Sequence, residues 1–340
     1  MTAILLLLAL ACGGSSPVST PAVLGEPAEL DPADAVAAGD LDGGGDDSLV
    51  LVHEGVARWD GHEQDLGALV QVSARGDVDG DGRQEILLGC GVGRGQPRAS
   101  ARVWLLDDQG ARLVWERQGE RNQITELRIG ADGVWMAAFA DGKQVEGGWL
   151  RPSEGELWSF EPQVSAALAT RQQPVEAGVL VGRIYGDEPR SDGDLTLRDG
   201  DRITTLPTLR GVRSLLSTEL DGRAGDELLV GDGWHYRYGS EGIARLRLLS
   251  GEGWQHARTI ASFDGEFTVR EIEVFGTGSS AWILATGSTR VHVLSRDGMG
   301  WQDLDVADVG EAGSAVIATR DGQPGVLISG SPARWFPVQR

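Results

Sequence analysis

Lysine is nearly absent from this chain of 340 residues, and 30 basic side chains stand against 51 acidic ones, a formal net charge of −21. That balance excludes nucleic acid as a partner, because holding phosphates needs a basic surface. It also disfavours direct attraction to an anionic membrane, and it suits an exported, cation-binding protein. Only two cysteines occur, Cys12 and Cys90. Tyrosine (3) and phenylalanine (6) are scarce beside 11 tryptophans. No apolar run is long enough to span a bilayer as a helix; the longest, residues 2–11, matches the hydrophobic stretch of a signal peptide instead.

Catalytic signatures are missing as well. The five histidines, His53, His62, His235, His256 and His292, form no transition-metal spacing. There is no Gly-x-Ser-x-Gly elbow and no phosphate-binding Gly-Lys-Ser/Thr loop. Gly89, Gly91, Gly93 and Gly95 miss the dinucleotide spacing. The expectation is a protein that is not an enzyme.

What the chain has in quantity is glycine, 50 residues, much of it in Gly/Asp turns between short apolar runs. Such punctuation reads as many short strands. One unit recurs: a strand, a turn, an apolar second strand often closed by glycine, a loop, then a hairpin. The second strands read 49–52, 86–89, 135–139, 179–182, 228–231, 282–287 and 326–330, a mean period of about 46 residues. Hairpin turns follow them, among them Trp59-Asp60-Gly61-His62 and Arg198-Asp199-Gly200-Asp201, whose glycines and aspartates tolerate left-handed backbone. Four strands in about 46 residues is a propeller blade. The expectation is an all-β, seven-bladed propeller of four-stranded blades over residues 22–340. Its seventh unit runs out of chain before a fourth strand, so residues 22–30 supply it and close the ring.

The sharpest local pattern is Asp77-Val78-Asp79-Gly80-Asp81-Gly82-Arg83-Gln84-Glu85, running into Ile86-Leu87-Leu88-Gly89. Acids at alternate positions converge on one cation if the loop curls, and Gly80 and Gly82 permit the curl. Asp77, Asp79, Asp81 and Glu85 offer carboxylates and Arg83 a carbonyl, a hard-oxygen set suited to Ca2+. An EF-hand needs an acid where Leu88 stands. Eroded copies recur. In unit one, Asp40, Asp42 and Asp46 form a weaker candidate, with Gly44 and Ser48 replacing two acids. In unit five, Arg223 stands where Asp81 does, and its guanidinium is expected to replace the ion between Glu219 and Asp221. Arg75-Gly76-Asp77 is an adhesion tripeptide in form only, since Asp77 is committed to the loop.

The loop, the glycine-rich stretch after it and Ala101-Arg102-Val103-Trp104-Leu105-Leu106 resemble the FG-GAP (VCBS) repeats of integrin-α-like propellers. The resemblance implies a calcium-binding propeller that engages a protein or glycan through the loops of one face. The start of the chain resembles a bacterial lipoprotein signal: residues 1–11 removed, Cys12 acylated, and residues 12–21 a flexible tether. That implies export to the cell envelope, as an outer-membrane lipoprotein facing periplasm or exterior. The lipid on Cys12 would be the sole membrane contact of a monomer. Cys90 then has no disulfide partner and reads as a small packed hydrophobe. His235, Tyr236 and Tyr238, after the second strand of unit five, are a candidate binding loop. A polysaccharide-active enzyme and a structural accessory subunit of an envelope assembly remain alternative readings.

Overall fold

The computed structural model describes residues 23–91, 100–118, 123–139, 144–153, 157–183, 193–208, 211–222, 225–232, 243–296, 301–308 and 313–339, with backbone alone at 23, 279 and 302–308. The chain forms seven antiparallel sheets arranged in ring order. Blade one comprises Ala35–Gly39, Ser48–His53, Val56–Trp59 and His62–Asp65; blade two comprises Leu69–Gly76, Glu85–Gly91, Ala101–Asp107 and Gly110–Arg117. The other inner strands are Ile124–Gly130, Ala169–Val175, Val212–Thr218, Glu271–Phe275 and Ala315–Arg320. Each inner strand packs against the next, and that of blade seven packs against that of blade one, so the ring is closed. No helix is long and apolar enough to cross a membrane among the described residues.

All seven expected second strands are present: Ser48–His53, Glu85–Gly91, Gly133–Phe139, Gly178–Arg183, Glu227–Asp232, Trp282–Thr286 and Gln323–Ile328. They read as continuous apolar runs, not alternating ones, because both faces of a blade are buried against neighbouring blades. Blade two makes this concrete. Ile86, Leu88 and Cys90 point into a cluster shared with blade one, while Leu87 points into one shared with blade three. The core is accordingly seven wedge-shaped clusters, one per blade interface. Tryptophans fill these wedges: Trp282 is 1 % exposed, and Trp59, Trp115, Trp158 and Trp335 are also buried. Cys90 is fully buried in one of them, and desolvation pushes its thiol up to about 12, so it behaves as an inert apolar side chain.

Closure follows the expected route. The sheet of blade seven takes Ala315–Arg320, Gln323–Ile328 and Arg334–Gln339 from one end of the chain. From the other it takes two short strands, Val23–Leu24 and Ala28–Glu29, both paired antiparallel with Arg334–Gln339. An edge that would be open is thereby covered. Closure leaves a central bore lined by the inner strands, a cavity of about 1850 Å³.

Four inner strands carry a register shift at the same place, between Val70 and Val72, Ile124 and Glu126, Ala169 and Arg171, and Val212 and Ser214. The extra residue of such a bulge re-aims the side chains around it. Thr170 uses the freedom to donate its hydroxyl to the carbonyls of Gly182 and, in blade five, Val212.

Candidate functional site

The connection between the first and second strands of blade two carries the acids. Gly80 and Gly82 adopt φ of +84° and +89°, a left-handed backbone that L side chains rarely adopt. Their N–H groups donate to the two oxygens of Asp77, at 2.6 and 2.9 Å. Asp79 accepts from the N–H of Asp81 at 3.1 Å, and Glu85 accepts from that of Val78 at 2.6 Å. The loop is thus wound inward around its own carboxylates. Asp77, Asp79 and Glu85 bring one oxygen each within 4.8 Å of the others, the one such metal-competent group among the described residues.

The fourth carboxylate is placed differently from the sequence expectation. Asp81 faces Arg83, accepting from Nε at 2.8 Å and Nη2 at 2.6 Å, and these bonds hold its carboxyl below the ordinary value. Arg83, expected to offer its carbonyl, also reaches Asp108 in the turn between the third and fourth strands. Glu85, at 6 % exposure, behaves in the opposite way. Burial first, and then the repulsion of Asp79, Asp81 and Asp77, push its pKa up. A cation between these oxygens would offset that repulsion, so Asp77, Asp79 and Glu85 suit a hard divalent ion.

Two other blades keep the loop's backbone without its full acid set. Gly43 and Gly222 stand where Gly80 does and share its positive φ, +73° and +80°. Asp40 accepts from Gly45 as Asp77 accepts from Gly82, and Asp42 accepts from Gly44. Asp46 departs from the weak-site expectation: it accepts the N–H of Gly322 in blade seven at 2.7 Å. Neighbouring Asp47 accepts that of Thr319 and pairs with Arg75. Ser48, in the position of Glu85, turns to Asp60. In blade one the remnant therefore fastens blades together. In blade five, Glu227 accepts from Leu220 at 2.8 Å, repeating the Glu85–Val78 bond. Arg223, His235, Tyr236 and Tyr238 lie outside the described residues, as do Cys12 and the leader. Both ends of the Arg75-Gly76-Asp77 tripeptide are engaged within the fold, Arg75 by the carbonyl of Ile317 and Asp77 by the N–H of Gly80.

The sequence reading did not anticipate the bore. Arg75, Arg128, Arg171, Arg213 and Arg270 all line it, with Glu126, Glu271 and Glu273. The arginines reach across the ring to main-chain carbonyls: Arg128 to Leu215 at 2.5 Å, Arg171 to Thr125 at 2.7 Å and Arg270 at 2.9 Å, Arg270 to Gly313 at 2.5 Å. Glu126 sits between two of them, 3.0 Å from Arg128 Nε and 3.4 Å from Arg171 Nε. Glu271 and Glu273 line the bore and are half-buried. Desolvation raises both, against the opposing pull of Arg270, Arg171 and Arg213 on Glu271 and of Arg75 on Glu273. The signal was present: one arginine on or beside the first strand of five units, in a chain poor in basic residues. No protein-family model matches the sequence, and no curated protein matches it either.

Proposed function

We propose that this propeller is a calcium-stabilised binding or scaffold module of a bacterial cell envelope, tethered through Cys12. The convergence of Asp77, Asp79 and Glu85 in a strand-to-strand loop carries the calcium reading. The resemblance of that loop, and of the repeat spacing, to FG-GAP repeats supports it. A closed ring with no catalytic motif in its sequence is compatible with recognition through face loops, with the loop of His235, Tyr236 and Tyr238 the first candidate surface.

Thermal unfolding of the chain in calcium and in chelator, beside Asp79→Ala, tests the metal. At a free concentration 100 times the dissociation constant, calcium adds about 2.7 kcal/mol. The expected result is a melting point raised by calcium in the parent and unmoved in Asp79→Ala. No rise in the parent would remove calcium from the proposal. The binding role is tested separately by recovering a stoichiometric partner whose association is lost in Tyr236→Ala; turnover of a polysaccharide would favour an enzyme instead.

A further inference from the structure

We propose that the tether carries this propeller with a fixed face toward the bilayer: the loops joining first to second strands face the lipid, and the opposite mouth of the bore is held clear of it. The inference rests on the Cys12 anchor of the proposed function and adds which surface that anchor leaves free. The two faces are defined by contacts between connections. On one, first-to-second loops touch third-to-fourth turns: Ser48 with Asp60 in blade one, Arg83 with Asp108 in blade two, and Trp254 Nε1 with the carbonyl of Asp226 at 2.9 Å in blade five. On the other, fourth-to-first connections meet second-to-third ones. There Leu66 donates its N–H to Gly55 at 2.9 Å, Ala33 and Gly330 exchange N–H bonds at 2.8 Å, and Ser288 and Thr289 close on Glu266. The acidic loop of blade two belongs to the first face.

Strand register places the entry of the chain. Val23 and Leu24 pair with Gln339 and Val338, the end of the third strand of blade seven, as Arg202 pairs with Asp199 across the third-to-fourth turn of blade four. The chain therefore enters blade seven on the first face. It crosses toward the second, where Ala28 and Glu29 pair with Trp335 and Arg334. The eight residues of the inner strand Leu69–Gly76 set the distance between the faces at about 26 Å. As a flexible chain, residues 12–22 have a reach of about 17–20 Å. Laying the second face on lipid lifts Val23 by the full height of the ring and stretches the tether past that reach. Laying the first face down needs no such extension. A net charge of −21 gives the chain no pull toward lipid, so tether geometry decides.

The face left free is the one with apolar side chains around the bore. Leu69 and Phe267 are exposed there, and both line the mouth together with Leu168. Each lies at or just before the start of an inner strand, which is the second face. The connection from Asp232 to Ile243, which contains His235, Tyr236 and Tyr238, begins and ends on the same face. Exposed apolar groups turned away from lipid suit a protein or glycan partner arriving from the aqueous side.

The test is carboxyl footprinting of the chain from Cys12 onward, which keeps every described residue. Its Cys12 thiol is coupled to maleimide-bearing lipid in phosphatidylcholine vesicles; Cys90 is fully buried and does not compete. The same chain left uncoupled beside the vesicles is the reference. Asp60 and Asp321 are exposed on the first face, in blades one and seven, whereas Asp34 and Glu54 are exposed on the second face beside blade one. Carbodiimide labelling of Asp60 and Asp321, read by mass spectrometry, should fall severalfold on coupling, with Asp34 and Glu54 unchanged. A Gly/Ser insert of about 30 residues after Gly13 raises the reach to about 32–38 Å and should erase the difference. Equal labelling of both faces with the native tether, or protection of Asp34 and Glu54 instead, overturns the proposal. The anchor itself is tested apart from this: protein recovered from the host envelope without an acyl group on Cys12 removes the anchor, whatever orientation the vesicles show.

Discussion

Arg75 of blade two reaches past blade one and donates Nη1 to the main-chain carbonyl of Ile317 in blade seven, at 2.9 Å. The same nitrogen lies 3.3 Å from Asp47, whose carboxylate also accepts the N–H of Thr319. Glu273 of blade six completes the cluster by accepting the N–H of Ile317 at 2.8 Å. Blades two, one and seven therefore meet at one guanidinium beside the seam where the ring closes, and blade six joins them through Ile317. Arg75→Met keeps the aliphatic stem and removes the donors. Its expected cost is about 2 kcal/mol, the usual scale for losing a charged hydrogen bond with its acceptor left in place. Urea unfolding of the two proteins measures the difference. A change below a few tenths of a kcal/mol would mean the seam is held by packing alone.

Glu271 gives a pH dependence of unusual sign. Burial raises its pKa above the ordinary 4.5 in spite of Arg270, Arg171 and Arg213. The folded state then holds this proton more tightly than the unfolded chain does. The contribution is fully present below 4.5 and is lost as pH rises through the folded value, the reverse of an ordinary ion-paired carboxylate. Glu271→Gln, which cannot ionise, should lose none of this stability as pH rises above 4.5. The difference in urea midpoint between variant and parent should therefore widen in favour of the variant from pH 4.5 towards neutrality. A difference that stays constant over that range would show that Glu271 does not titrate in a desolvated setting.

The strands were readable for a physical reason. A blade's second strand is buried on both faces, so it must be apolar throughout, and runs such as Ile86-Leu87-Leu88 stand out in a glycine-rich chain. The closing strand was readable by count, since the last unit lacked one. The acids of blade two were readable because alternate spacing in a tight loop leaves them few directions to point. Asp46 and Asp81 were not. The partner of Asp46, Gly322, is brought to it only by ring closure, and Asp81 is drawn away by Arg83, itself held by Asp108 from another turn. The bore was the least legible part. Whether an inner-strand side chain faces the axis depends on bulges at Gln71, Thr125, Thr170 and Arg213, and no pattern within one unit marks convergence from several blades.

Arg83 restrains the acidic loop of blade two. By pairing with Asp81 on one side and Asp108 on the other, it keeps a fourth carboxylate away from Asp77, Asp79 and Glu85. Arg83→Gln removes the cation and frees Asp81 to turn inward. The expected outcome is a lower melting point in chelator, from added repulsion among the acids, and a larger rise on adding calcium. The affinity gain is expected to be on the order of tenfold, because the charge of a site tunes its affinity. Competition with a chromophoric chelator reads it directly. An unchanged affinity would indicate that Asp81 belongs to the turn and not to the metal.

The closing strand makes the last prediction. Val23–Leu24 and Ala28–Glu29 cover the outer edge of Arg334–Gln339, with Leu24 packed on the cluster between blades six and seven. Ala28 and Leu30 pack on the cluster between blades seven and one. A chain beginning at residue 22 keeps both strands, whereas one beginning at residue 32 loses them and bares Trp335 and Val338. Three apolar contacts at roughly 1–2 kcal/mol each put the loss near 4 kcal/mol, a large share of a typical domain's stability. The shorter chain should therefore unfold at markedly lower urea, be cut by protease within blade seven first, and associate through its open edge on gel filtration. Adding a synthetic peptide of residues 22–31 should restore the monomer by pairing with that edge. Equal protease resistance of the two chains would mean that the three C-terminal strands close the ring unaided.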